Sequence, residues 1–105
     1  MAYNLEIVEH AEQLIGRLTG YLIHRLHNVG ATLPLMDGSD TVYDRLEDNP
    51  YQFSESPHPV LYLRGYREAL VPEMAYRIVF RVQGHTVYIV GVFHELEDYG
   101  IKVIE

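Results

Sequence analysis

A chain of 105 residues, 48% hydrophobic and 22% charged, has room for one hydrophobic core but not two, and its composition excludes a disordered polypeptide. The absence of cysteine excludes disulfides and thiolate metal sites and fits a reducing compartment. A net charge of −7 weighs against a general nucleic-acid binder, because phosphate contacts depend on lysine and arginine.

Tyr3, Leu5 and Ile7 alternate with Asn4 and Glu6, which predicts a half-buried strand over 3–8. The period changes at Glu9 or His10. Leu14, Ile15, Leu18, Tyr21, Leu22 and Leu26 then recur every three or four residues, with Glu12, Arg17 and Arg25 off that stripe, as in an amphipathic helix. Asn28-Val29-Gly30 suits its C-terminal cap. A second helix is expected to start at Leu33 or Pro34, since proline is tolerated in a first turn. It should pass Val42, Tyr43 and Leu46, bend or weaken at Gly38, and stop at Asn49-Pro50. Residues 51–59, with two prolines, two serines and His58, read as a loop.

Residues 60–64, 66–71, 75–83 and 86–93 read as strands, with turns at Gly65, Pro72-Glu73 and Gly84-His85. The last is apolar on both faces, which places it at the centre of a sheet. The expected architecture is α+β: an N-terminal strand and two helices packed on one face of a twisted, mainly antiparallel sheet, in a single domain spanning 1–105. No apolar stretch approaches the roughly 20 residues of a membrane span. The start Met1-Ala2-Tyr3-Asn4-Leu5-Glu6 lacks the basic and apolar regions of a secretory signal, so a cytoplasmic location without membrane contact is expected.

Charge is unevenly spread. Residues 1–50 hold eight acids against Arg17, Arg25 and Arg45, whereas Arg64, Arg67, Arg77 and Arg81 fall within 18 residues that include only Glu68 and Glu73 as acids. Within 75–83, Arg77, Val79 and Arg81 share one strand face, and Tyr76, Ile78, Phe80 and Val82 share the other. The fully apolar face belongs under the helices, which leaves Arg77 and Arg81 on the open side. Arg67 joins them if the preceding turn pairs odd positions with odd. Three such arginines would form a cationic surface for phosphates or an acidic peptide. The alternative is a solvated sheet face on which they pair with Glu68, Glu73 and Glu95.

The histidines read mainly as solvated positions. His24 and His27 stand three apart on a helix, but a metal site wants three or four ligands and no third is implied. His10, His58 and His85 fall at a helix start, a loop and a turn. Glu95, Glu97 and Asp98 beside His94 read first as a solvated acidic turn. Neither a metal nor a cofactor is expected.

The block Gly65-Tyr66-Arg67-Glu68-Ala69-Leu70, followed by Tyr76-Arg77-Ile78-Val79-Phe80-Arg81-Val82, the run from Val87 to Phe93 and then His94 to Tyr99, resembles the C-terminal half of the RelE/ParE superfamily. These are the toxins of type II toxin–antitoxin modules. Residues 3–8 match the family's first strand and 11–27 its first helix. Leu46-Glu47-Asp48-Asn49-Pro50 matches the Leu-x-x-x-Pro signature that closes its second helix.

The resemblance implies a cognate antitoxin as partner, in a hetero-oligomer with it or as a homodimer. Candidate aromatic anchors for that partner are Tyr21, Tyr43, Tyr62, Tyr66 and Phe93. In RelE-like ribosome-dependent mRNA endonucleases it also implies a site: Arg77 stabilises charge on the scissile phosphate, with His94 and Tyr99 as acid/base groups. Arg64, Arg67 and Arg81 are then the substrate-binding candidates. Two positions depart from that pattern. Ala69 stands where such enzymes carry a lysine, and Glu95 where many carry an arginine, so a carboxylate would repel the phosphate. ParE-like members keep the same sheet, have no recognised hydrolytic residues and inhibit DNA gyrase by binding, which is the reading these departures favour. The mRNA endonuclease is the alternative, and a non-toxic or regulatory member the third.

Overall fold

Along the chain the elements are β1 (Asn4–Ile7), α1 (Glu9–His24), α2 (Val29–Asp48), α3 (Pro59–Leu63), β2 (Arg67–Leu70), β3 (Tyr76–Gln83) and β4 (Thr86–His94). The computed structural model describes residues 2–24, 29–72, 75–96 and 99, and among them the side chains of all but 19–24 and 29–35. Arg25, Leu26, His27, Asn28, Glu73, Glu97 and Asp98, named above, lie outside the described residues, as do the side chains of Tyr21, Leu22, His24 and Pro34.

The strands lie in the order β1-β4-β3-β2. β1 runs parallel to β4, and the other two pairings are antiparallel. The interior place of β4 accounts for its apolar run, because both of its faces must be covered. Gln83 pairs with Thr86, so Gly84-His85 forms a two-residue hairpin loop, with Gly84 at a φ of 61° that favours glycine. Val79 faces Gly91 while Phe80 faces Ile89, which leaves Val90 as an extra residue in β4, a bulge. The bulge resets the alternation, so Ile89 and Val90 are both buried, in different clusters.

The larger cluster lies between the sheet and the helices, with Val42 and Leu46 of α2 against Ala69, Ile78, Phe80, Val87 and Ile89. Ser39, Val42 and Leu46 are buried at spacings of three and four, the inward stripe of that helix. The opposite face of the sheet is covered too: Leu61 and Tyr99 join Val79, Val90 and Phe93 in a second cluster.

Three local expectations are corrected. α2 opens at Val29, about a turn before Pro34, so Val29 and Gly30 begin a helix instead of closing one. Pro34 deprives the Gly30 carbonyl of a donor at a cost of about 3 kcal/mol, which a helix of 20 residues with Val42 and Leu46 fully buried sustains. Gly38 does not interrupt α2. A Cβ there would stand 2.7 Å from Val71 Cγ1, so glycine lets the helix lie close to the end of β2. Residues 51–59 are more structured than a plain loop. A 3-10 turn covers Pro50–Gln52, capped by Asn49, whose side chain accepts from the Tyr51 amide, and Glu55 bridges to Arg67 at the sheet edge.

The strand expected over 60–64 is the helix α3. Pro59 opens it, and Gly65, at a φ of 80°, closes it. The Gly65 amide donates to the Tyr62 carbonyl and the Tyr66 amide to the Leu61 carbonyl, the paired bonds of a Schellman cap. The β preference of Val60 and Tyr62 gives way to these end signals and to burial of Leu61 alone among the five residues.

Candidate functional site

The register of β2 against β3 decides which side chains meet. Arg67 pairs with Phe80 and Ala69 with Ile78, so both lie on the helix-bearing side. Glu68 pairs with Val79 and Leu70 with Arg77, on the other side. Odd positions therefore pair with even ones, and the glutamate, not Arg67, stands beside Arg77.

Glu68 is 6% exposed and fully engaged. Ser56 Oγ donates to its Oε2 at 2.5 Å, and the Tyr99 hydroxyl donates to Oε1 at 2.6 Å. The Arg77 guanidinium lies 3.9 Å from Glu68 Oε1 and 3.9 Å from Glu95 Oε2, within ion-pair range but too far for hydrogen bonds. The cation thus sits between two carboxylates.

Local sequence explains how these groups are held. Ser56 is fixed by its backbone amide, which donates to the Tyr66 carbonyl, and its hydroxyl accepts from the His58 amide. Tyr99 stacks on Phe93 at 5.2 Å with an 8° interplanar angle, and His58 meets it edge-on at 4.4 Å. The Phe93 ring lies where a Cβ on residue 91 would be, so Gly91 is what admits it. Burial first, then the bond to Glu68 and its charge, raises the Tyr99 hydroxyl pKa well above the usual tyrosine value. Tyr99 is a locked hydrogen-bond donor.

The candidate ribonuclease groups are not brought together. His94 pairs across the strands with Tyr76, and their rings meet at 5.3 Å on the helix-bearing side, opposite Arg77. His94 Nδ1 accepts from the Leu96 amide. Tyr99 reaches the Arg77 side but donates to Glu68. The substrate-binding candidates are likewise dispersed. Arg67 donates to the Phe53 carbonyl at 2.8 Å, lies 3.8 Å from Glu55 and stacks over Tyr51. Arg81 donates to Gln83 and lies 4.4 Å over the Tyr88 ring. Arg64 is exposed at the end of α3.

Among the aromatic anchor candidates, Tyr62 is 54% exposed, Phe93 is buried, and Tyr43 and Tyr66 are half-buried. Among the described residues no group of three His, Asp or Glu side chains is placed to hold a metal ion. No helix among them is long and apolar enough to cross a membrane.

Ser56 is the member of this network that sequence reasoning missed; Glu68 was expected only as an ion-pair partner of the sheet arginines, not as the buried acceptor of two hydroxyls. One signal was present: Glu68 is a carboxylate in a strand that is apolar from Ala69 onward. Its partners come from 12 positions earlier and 31 later, distances that no local pattern spans.

An N-terminal strand and two helices on one side of a mixed four-stranded sheet make the α+β arrangement of a RelE/ParE-type toxin fold. A solved structure described as a chromosomal ParDE toxin–antitoxin system from P. aeruginosa is similar to the chain with a TM-score of 0.69 at 16% identity, over 89% of this chain and 96% of that one. The family model for the ParE toxin of type II toxin–antitoxin systems, parDE, matches residues 11–99, and the chain belongs to that family. Membership implies a cognate antitoxin as its partner. No curated protein matches the sequence.

Proposed function

We propose that this ParE-family toxin acts in the cytoplasm by binding and inhibiting DNA gyrase, and that it cuts no RNA. One observation carries the preference over ribonuclease chemistry: Arg77 lies between Glu68 and Glu95, with His94 on the opposite face of the sheet. In-line cleavage of a phosphodiester needs cationic stabilisation of the phosphorane together with a base and a proton donor around one phosphate. Here a phosphate approaching Arg77 meets two carboxylates, and Tyr99 is already bonded to one of them. A binding inhibitor needs no such convergence.

The test is induction of the chain without its antitoxin in a bacterial host, with growth, mRNA 5′ ends and plasmid supercoiling followed in the same cultures. Growth arrest with relaxed plasmid and intact transcripts is expected. Codon-positioned 5′ ends that disappear in a folded Arg77→Ala variant would replace this reading with the endonuclease. Undisturbed growth with soluble, folded protein would replace it with a non-toxic, regulatory role.

A further inference from the structure

Most of the apolar surface of α3 faces solvent. Val60 is 46% exposed, Tyr62 54% and Leu63 81%, while Leu61 alone turns inward to the cluster on the Glu68 side of the sheet. With about 3.6 residues per turn, Val60 and Tyr62 flank Leu61, and Leu63 points away from it. Scattered apolar side chains on a surface are ordinary. Three around one helical turn form a contiguous patch, and such patches mark interaction sites.

The charge around this patch differs from that of the chain as a whole. Residues 56–67 contain no acid, in a chain of net charge −7, and they include His58, Arg64 and Arg67. Arg67 is held by the Phe53 carbonyl, Glu55 and the Tyr51 ring. Arg64, next to Leu63, is exposed and has no ion pair among the described residues. The patch is also preorganised. The Gly65 and Tyr66 amides cap α3, and Ser56 ties the segment before it to Tyr66 and Glu68. A surface already held in place loses little entropy on binding, and tyrosine and arginine are among the residues that carry most of the energy of protein interfaces.

We infer that this face of α3 is where the chain docks on DNA gyrase, with Tyr62 and Leu63 entering an apolar depression and Arg64 set against a carboxylate of the gyrase surface. The inference rests on gyrase inhibition as the function. Charge and chemistry separate this partner from the other occupants. Nucleic acid would be repelled by the chain's net charge of −7 and would leave three apolar side chains in water. A second copy related by a two-fold axis presents the same patch to itself, so Arg64 would face Arg64 with no acid from 56 to 67 to offset it.

The test is a gyrase supercoiling reaction titrated with the purified full chain, with Tyr62→Ser, Leu63→Ser and Arg64→Glu, and with Asp44→Lys as a control on the exposed face of α2. The wild type is expected to inhibit. Each α3 variant should raise the half-inhibitory concentration at least about tenfold, the effect of losing an interface anchor, while Asp44→Lys should leave it unchanged. All four positions are exposed, so melting temperatures should hold. Should one of the serine variants melt lower, Arg64→Glu carries the test. Equal inhibition by the wild type and the three α3 variants would overturn the inference and leave gyrase as the target. An equal loss in Asp44→Lys would overturn the assignment to α3. A wild type that leaves supercoiling untouched would overturn the gyrase reading and this inference together. Concentration-dependent dimerisation that Leu63→Ser abolishes would give the patch to a second copy instead.

Discussion

The Tyr99 hydroxyl donates to Glu68 Oε1 at 2.6 Å, joining two buried residues 31 positions apart in the sequence. With Ser56 on the other carboxylate oxygen, Glu68 ties together β2, the segment before α3 and the segment after β4. Replacing it with alanine leaves two buried hydroxyls without an acceptor and Arg77 with Glu95 alone. Each buried polar group left unpaired costs about 1–3 kcal/mol. Glu68→Ala should therefore lose about 2–5 kcal/mol, and Glu68→Gln, which keeps an acceptor, distinctly less. Urea midpoints measure both, and an unchanged midpoint for the alanine variant would remove Glu68 from this role.

The same bond predicts a limit at alkaline pH. Tyr99 holds its proton more tightly when folded than in the unfolded chain, where tyrosine ionises near about pH 10. A raised folded-state pKa contributes stability that is complete below the unfolded value and is lost as pH rises through it toward the folded one. Tyr43, raised by burial and by Asp40, acts in the same sense. Stability should therefore fall from about pH 10 upward, with a shallower fall in Tyr99→Phe. Equilibrium unfolding on either side of that pH tests the claim; parallel curves for the two proteins would contradict it.

Gly91 should tolerate no side chain. Its missing Cβ is the space that the Phe93 ring occupies, and that ring carries Tyr99. Gly91→Ala is expected to cost about 1–3 kcal/mol, the usual range for overpacking. It should also abolish the additional loss on Tyr99→Phe, because the hydroxyl is then already displaced. A full additive loss in the double variant would mean that Phe93 does not position Tyr99.

A second close approach joins Gly38 to Val71. Alanine at 38 would place its Cβ 2.7 Å from Val71 Cγ1. Gly38→Ala alone should therefore destabilise, despite alanine's better helix propensity of roughly 1 kcal/mol. In the background of Val71→Ala the same change should be neutral or stabilising. A double-mutant cycle reads this coupling directly, and additive effects would show that α2 can move away at no cost.

Much of the architecture was legible because it follows from local pattern. The alternation at Tyr3–Ile7, the stripe through Ile15 and Leu18, the stop at Asn49-Pro50 and the turn at Gly84-His85 all appear where expected. The apolar run of β4 pointed to an interior strand and occupies one. α3 was missed because Val60 and Tyr62 favour strands in isolation, although Pro59 and Gly65 already carried the opposite signal. α2 starts about a turn before its proline because the packing of the whole helix outweighs one lost backbone hydrogen bond.

The sequence by itself determined the order and type of most elements and the family they belong to, since periodicity, turn residues and motif spacing are properties of neighbours along the chain. Only the tertiary structure decided which charges meet. A shift of one position in pairing exchanges the two faces of a strand, and that parity put Glu68 beside Arg77 and sent Arg67 to the other side. The same pairing set His94 against Tyr76, away from Arg77. Strand register reflects the combined packing of both sheet faces, so a cluster of arginines close in sequence became three separate environments.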